Sequence, residues 1–319
     1  MDTKIDFKGL EKAFVDEIGL FRTAKNIQVI LLRQTHDFSI FRTEETRELN
    51  IVTLPNHAND NTSVMRVAML ASKQKAPENR HYANLVRTLA GDDRLNDAQK
   101  SCALKDKLCQ QCPRCVLFGA VSTESGREGR ANIKHRISYS TAYSIEPYDE
   151  ISEIMTFNAI DEINQSTGQA LGYTENVSPL ANFPAVVTLN SVTKHEFIMY
   201  LKTVLSCKSY GAESRLKGDV VNHIVGIVSG LEEIVTSLDI LLGASVNSEE
   251  YLANPLEKTY DILKSFSKYS MFKDQLKILT PQELSELIDT ISNLETNKKF
   301  ASELYTEAES FYNKLQNYG

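Results

Sequence analysis

Residues 112–136 read CPRCVLFGAVSTESGREGRANIKHR. Two cysteines frame Pro113 and Arg114, and a short apolar run, Val116-Leu-Phe, ends on Gly119. A small, polar, Gly-rich loop follows over 122–130. Beyond it apolar and polar residues alternate. Ile133, Ile137, Tyr139 and Tyr143 fall on one side of an extended chain, and Lys134, Arg136, Ser138 and Ser140 on the other. The stretch 116–143 therefore reads as strand, loop, strand, with a basic face on the second strand.

Immediately upstream, Cys102 and Cys109 complete a set of four, spaced Cys102-x6-Cys109-x2-Cys112-x2-Cys115. Zinc takes four thiolates tetrahedrally, and a C-x2-C turn brings two sulfurs to one metal. The spacing predicts a structural zinc site, with Pro113 stiffening one turn and Cys102 as the fourth ligand. His81 is the nearest histidine able to replace a cysteine. Disulfide and redox readings compete. The first needs an oxidising compartment, and the second normally follows a thioredoxin-like strand, not a polar helical stretch. Zinc deaminases pair P-C-x-x-C with an upstream H-x-E, but none of the six histidines has Glu two positions on. His195-Glu196 opens like a zincin helix, yet Met199 stands where the second histidine belongs. Cys207 is isolated and expected in the core.

Moving outward, residues 1–20 suggest a short helix or arm. The runs from Ile27, Phe38 and Leu49 and the run Val64–Leu70 look like strands, with a turn cluster over 55–62. Helical patches are expected at 82–89 and 97–108, a strand at 183–189 and an amphipathic helix at 193–205. From about 231 onward apolar residues recur at threes and fours, and Thr280-Pro-Gln-Glu283 is a helix start with an N-cap and Pro at the first position. Strands mixed with helices, then a helical tail, point to an α+β fold. The expected divisions are 1–76 core, 77–116 zinc-binding insertion, 117–149 core, 150–182 an excursion, 183–230 the end of the core, and 231–319 an acidic helical domain.

The chain has 319 residues and a net charge of −7. That charge is unevenly placed. Residues 231–319 hold fifteen acids and eight lysines, whereas the first 230 balance to zero and contain every arginine. Arginine suits forked phosphate contacts. No apolar run approaches the ~20 residues that cross a bilayer, and the N-terminus has no apolar signal region. A cytoplasmic protein without membrane contact is expected.

Three basic segments are candidates for cradling phosphates, since Gly-rich turns expose N–H groups and Arg or Lys adds charge. They carry Arg33 and Arg42, then Arg127, Arg130, Lys134 and Arg136, then Lys208, Ser209, Arg215 and Lys217. Taken singly, each is also an ordinary solvated loop or face. The P-loop and the dinucleotide fingerprint are absent.

Taken together, Cys112 to Gly119, the Gly-rich loop and the basic strand resemble the Phe-Gly region of the CRISPR RAMP backbone proteins, the Cas-seven family. The Arg33–Glu45 segment, the cysteines and the helical extension resemble the type I-D backbone subunit in particular. Lys208–Gly218 is similar to that family's Gly-rich element, though less dense in glycine. The resemblance implies an RNA-recognition-motif-like (ferredoxin-like) antiparallel sheet with insertions. It also implies binding to CRISPR RNA, further copies of the chain and other subunits of an interference complex, with target nucleic acid reached through the guide. A thumb would be the 150–182 excursion, with Met155, Phe157 and Leu171 as wedge residues, although core burial is the competing reading of each. The implied role is non-catalytic. One alternative is a backbone subunit that also cuts the target strand, with Asp37 and Glu44 as carboxylates. The other is a zinc-stabilised protein-interaction module without RNA.

Overall fold

The computed structural model describes residues 5–42, 46–104, 107–121, 132–161, 166–213 and 216–318, excluding the side chains of 157–171. The centre is β1 (Asn26–Thr35), NIQVILLRQT, nine of whose ten residues are buried. A run this apolar fits a strand covered on both faces. After β1 come a hairpin, β2 (Ile51–His57) and β3 (Asp60–Met69), then helix α1 (Ala71–Ala90). Short helices α2 (Asp97–Lys100) and α3 (Pro113–Phe118) lead to strands β4 (Ile137–Tyr139) and β5 (Ala142–Tyr143). Helix α4 (Tyr148–Ile151) precedes a long hairpin, β6 (Ser152–Asp161) and β7 (Ser166–Val177). Strand β8 (Asn182–Asn190), helix α5 (Lys194–Ser206) and strand β9 (Val220–Gly230) complete the centre. The remainder is α6 (Ser237–Ala244), α7 (Ser248–Ala253), α8 (Pro255–Ser267), β10 (Lys277–Ile278), α9 (Pro281–Asn293) and α10 (Lys298–Tyr318).

The main sheet has the order β10-β9-β1-β8-β4 and every pair is antiparallel. β2, β3 and β5 form a second sheet, and among the described residues β6 pairs only with β7. One face of the main sheet packs Val29 and Leu31 against α1, α5, α9 and α10. The other packs Ile30, Val186 and Val228 against α6 and α8, through Ile240, Leu241 and Leu263. Among the described residues no helix is long and apolar enough to cross a membrane.

Several elements differ from expectation for local reasons. Val116–Phe118, read as a strand, is helical, because Cys112 sits extended at the N-cap and Pro113 takes the first turn, where its missing N–H costs nothing. The Phe38–Phe41 run makes no ladder. Ser39 bridges Val177 at the hairpin base and the Ile40 N–H goes to the Gly211 carbonyl, so its hydrogen bonds join three separate segments. The 76/77 division falls inside α1, which continues through buried Pro77. Residues 231–319 do not form one body. They supply helices to both faces and strand β10 to the sheet's edge.

Candidate metal centre and nucleic-acid interface

The four cysteines meet between α2 and α3. Their sulfurs all lie within 4.8 Å of one another, with Cys102 Sγ 3.8 Å from Cys112 Sγ and 3.5 Å from Cys115 Sγ. A Zn–S bond of about 2.3 Å sets tetrahedral sulfurs about 3.8 Å apart, so the donor set fits that ion. Backbone N–H groups support the thiolate form: Cys109 N donates to Cys102 Sγ and Gln111 N to Cys109 Sγ, both at 3.4 Å. Hydrogen bonding from Cys109, then Cys112 and Cys115, holds the Cys102 thiol well below its usual range. His81 plays no part, since its Nε2 pairs with Ser206 Oγ at 2.8 Å. Helix α10 closes the site from behind, where Glu309 takes both Arg94 nitrogens at 2.9 Å and Gln99 Nε2 at 2.8 Å.

The basic candidates separate into three groups. Arg33 and Arg136 are core residues, which removes them from phosphate contact. Arg33 is fully buried, with Nη2 2.8 Å from Glu78 Oε1 and Nη1 2.7 Å from Asn222 Oδ1. Arg136 is buried against Glu196, the N3 residue of α5, with Nη1 2.8 Å from Oε2 and 2.9 Å from the Ser191 carbonyl. Alternation along the β4 strand placed Arg136 outward, but its side chain turns in to a carboxylate. Lys134 is exposed, and it lies near the Asn190 end of the main sheet.

The first and third segments converge at the opposite end. There Ser209 bridges Asp219, His36 N donates to the Asp219 carbonyl, and Arg42 pairs with Glu213. Two glycines allow this. A Cβ on Gly211 would stand 2.6 Å from Ser39 Cβ, and one on Gly218, at φ +61°, 2.2 Å from the Gly211 carbonyl carbon. Lys208 and Lys217 are exposed; Lys217 reaches Asp219 at 2.9 Å and Ser209 Oγ donates to the Lys217 carbonyl. Ten residues of β1, about 30 Å of strand, separate this group from Lys134. Arg127, Arg130 and Arg215 lie outside the described residues, as does Glu44.

Sequence reasoning missed the neighbours of this group. His36 and His223 are exposed beside Lys208; partial burial, then the charges of Lys208 and His36, push the His223 imidazole below its ordinary value. Only the odd-even phase of β9 would have placed His223 outward while Asn222 turns in. At the hairpin, Met155 is half-buried, and the side chains of Phe157 and Leu171 lie outside the description. Arg47 lies over the Tyr173 ring, 5.9 Å from its centroid, and crosses Gly172, where a Cβ would meet Nη1 at 2.6 Å. Asp37 Oδ1 accepts the Phe38 N–H at 2.8 Å.

The family model described as Csc2 Crispr matches residues 11–317. The chain belongs to the Csc2 family. A crystal structure of Csc2 from Thermofilum pendens is similar, with a TM-score of 0.64 at 18% identity over 98% of this chain and 93% of that one. A chain of a CRISPR RNA-guided surveillance complex gives 0.54 at 9% identity, over 84% and 98%. A chain of such a complex in a pre-nicking state gives 0.50 at 12% identity, over 77% and 88%. At these identities the likeness of Csc2 to the complex subunits is one of fold. No functionally curated protein matches.

Proposed function

We propose that this chain is a CRISPR RNA-binding backbone subunit that oligomerises along the guide in a type I-D interference complex and presents it for target DNA pairing. Membership of the Csc2 family across residues 11–317 carries the reading. The convergence of 36–42 and 208–218 at the hairpin base supports it, because three separate segments meet beside the exposed Lys208 and Lys217. On this reading the core is RNA-recognition-motif-like. The path β1-α1-β4-β8-α5-β9, with strand order β9-β1-β8-β4, supports that assignment. The β6–β7 hairpin is the thumb, carrying Met155, Phe157 and Leu171. The four thiols hold a structural zinc, which supplies local folding energy and leaves no open position for chemistry. The subunit works in the cytoplasm and does not cut; the protein reads the RNA backbone while the guide reads sequence.

Native mass spectrometry with a guide-length RNA tests this in one measurement. Several copies per RNA and one zinc per copy are expected. Replacing Arg42, Lys208 and Lys217 together by Ala should weaken binding to all sequences alike and reduce the salt slope by about 2, at roughly 0.7 per lost phosphate contact. Absence of RNA binding, or an unchanged slope, would overturn the reading.

A further inference from the structure

A polar cavity of about 170 Å³ lies at the end of the main sheet where Asn26 faces Gly230. About 30 Å of strand separates it from the Lys208 surface. Its walls come from four places distant in sequence: the N-terminal arm, the residue before β1, the end of β9 and the approach to β10. Three of these contribute a lysine, Lys12, Lys25 and Lys277. Lys25 gives one hydrogen bond to the Phe14 carbonyl at 2.8 Å and Lys277 one to Glu283 at 2.7 Å, so each ammonium keeps two of its three donors. Lys12 is exposed, and among the described residues no carboxylate lies within 4.0 Å of its amine. Gly9 permits the convergence. At φ +89° it turns the arm, and a Cβ there would stand 3.3 Å from Lys277 Cε. Ser229 completes the lining. It is 4% exposed, and among the described residues its hydroxyl makes no hydrogen bond. A buried hydroxyl left without a partner costs free energy, so a Ser beside three ammonium groups marks a place for an acceptor.

We propose that this cavity is a site for a phosphate-class oxyanion, either free inorganic phosphate or a terminal phosphate monoester. The neighbouring acids do not fill it. Asp274, on the rim, takes the Gln275 amide at 2.8 Å, and Glu283 accepts from Thr280 N at 2.8 Å besides Lys277. Glu11, Glu232 and Glu233 accept from Phe7 N, from residues 270–272 and from Thr188. With Asp274 and Glu283 both counted, the three ammonium groups still leave one positive charge in excess. Lysine holds phosphate as a point charge, and the Ser229 hydroxyl adds a neutral donor. Cationic walls exclude a metal ion, and the lining has no aromatic ring on which a base could stack. The volume falls below the roughly 300–1,000 Å³ of sites for drug-sized ligands, so the anion enters alone or as the end of a longer molecule. The inference goes beyond the RNA reading and does not depend on it. Once bound, the anion would tie the N-terminal arm to β9 and β10.

The test titrates the full-length protein with inorganic phosphate in chloride buffer by calorimetry and follows the thermal midpoint in parallel. One site per chain is expected, with a midpoint that rises with phosphate concentration. Lys12→Ala, at an exposed position, and Ser229→Ala, which removes one oxygen, should each weaken phosphate binding roughly 10-fold. Both should keep the phosphate-free midpoint and the RNA affinity of the wild type, and Lys12→Arg should bind nearly as well as the wild type. Competition separates the two sources. Displacement of phosphate by a 5′-phosphorylated trinucleotide and not by its 5′-hydroxyl form supports a terminal monoester, and displacement by neither supports free phosphate. Equal displacement by both would mean that an internal phosphate reaches the site, against the assignment. Absence of both heat and midpoint shift at millimolar phosphate, or variants that bind phosphate as the wild type does, would overturn the inference and leave the RNA reading intact.

Discussion

Arg33 and Glu78 are both completely buried, and four polar side chains gather on them. Tyr139 and Tyr210 donate to Glu78 at 2.6 and 2.8 Å, Tyr200 at 3.3 Å, and Asn222 links Arg33 to the Tyr210 hydroxyl and to the carbonyls of Val204 and Cys207. Removing one charge strands the other without water. Arg33→Met should therefore cost about 3–5 kcal/mol in urea unfolding. The double variant with Glu78→Gln should lose less than the sum of the two single changes, and simple additivity would refute the coupling. The same network fixes Tyr210 beside Gly211, so it holds the basic loop in place. A signal for this was present in the sequence. Val29, Leu31, Arg33 and Thr35 share one phase of a doubly buried strand, and an arginine in that phase needs an acid. The acid is on α1, 45 positions away, and no local pattern pairs them.

Helices α5 and α10 are fastened through His195. Its Nε2 lies 3.0 Å from Glu303 Oε2 and its Nδ1 2.6 Å from Glu307 Oε1, which also leaves Glu307 Oε2 to accept from Thr193 at 2.7 Å. The hydrogen bond to Glu307 raises the imidazole above its ordinary 6.5, against the opposing effect of burial. A raised folded-state value stabilises fully below about 6.5 and is lost as pH climbs through the raised value. The thermal midpoint should thus decline over that window in the wild type and less in His195→Gln. Parallel profiles would show that His195 does not couple the helices. Helix α9 was legible from its capped start, Thr280 with Glu283, and α5 from its amphipathic spacing, while the capping box of α5, Thr193 with Glu196, was a further signal left unread. Helix α3 and the Phe38–Phe41 segment were not, because metal-site turns and long-range bridges, not periodicity, set their conformation.

Across the whole molecule, the acidic segment 231–319 wraps both faces of the sheet, while the cations of the candidate RNA surface collect at one end. Several of its lysines are already engaged: Lys258 with Glu250, Lys298 with Asp93, and Lys264 and Lys268 over the rings of Tyr260 and Tyr269. Acidic helices beside a phosphate path would oppose it within a Debye length, about 8 Å at physiological salt. Crosslinks to RNA are therefore expected at Lys208 and Lys217 and not at Lys258, Lys264, Lys268 or Lys298. Strong labelling of the latter four would put the acidic helices in the groove. The −7 imbalance was visible in composition, but its division between two faces depends on β10 entering the sheet, and two residues of strand carry no readable pattern.

The central position of β1 has a consequence for synthesis. Asn26 is opposite Asn190 on one side and Gly230 on the other, so neither neighbour exists when β1 leaves the ribosome. At about 5–20 residues per second, the second neighbour arrives roughly 10–40 s later. For that time NIQVILLRQT is an apolar strand with two bare edges, the kind of segment most prone to pair with another chain. Such non-local pairing makes for slow folding. The exposure of the nascent chain is thus written into the strand order, and shielding of β1 during translation should raise yield.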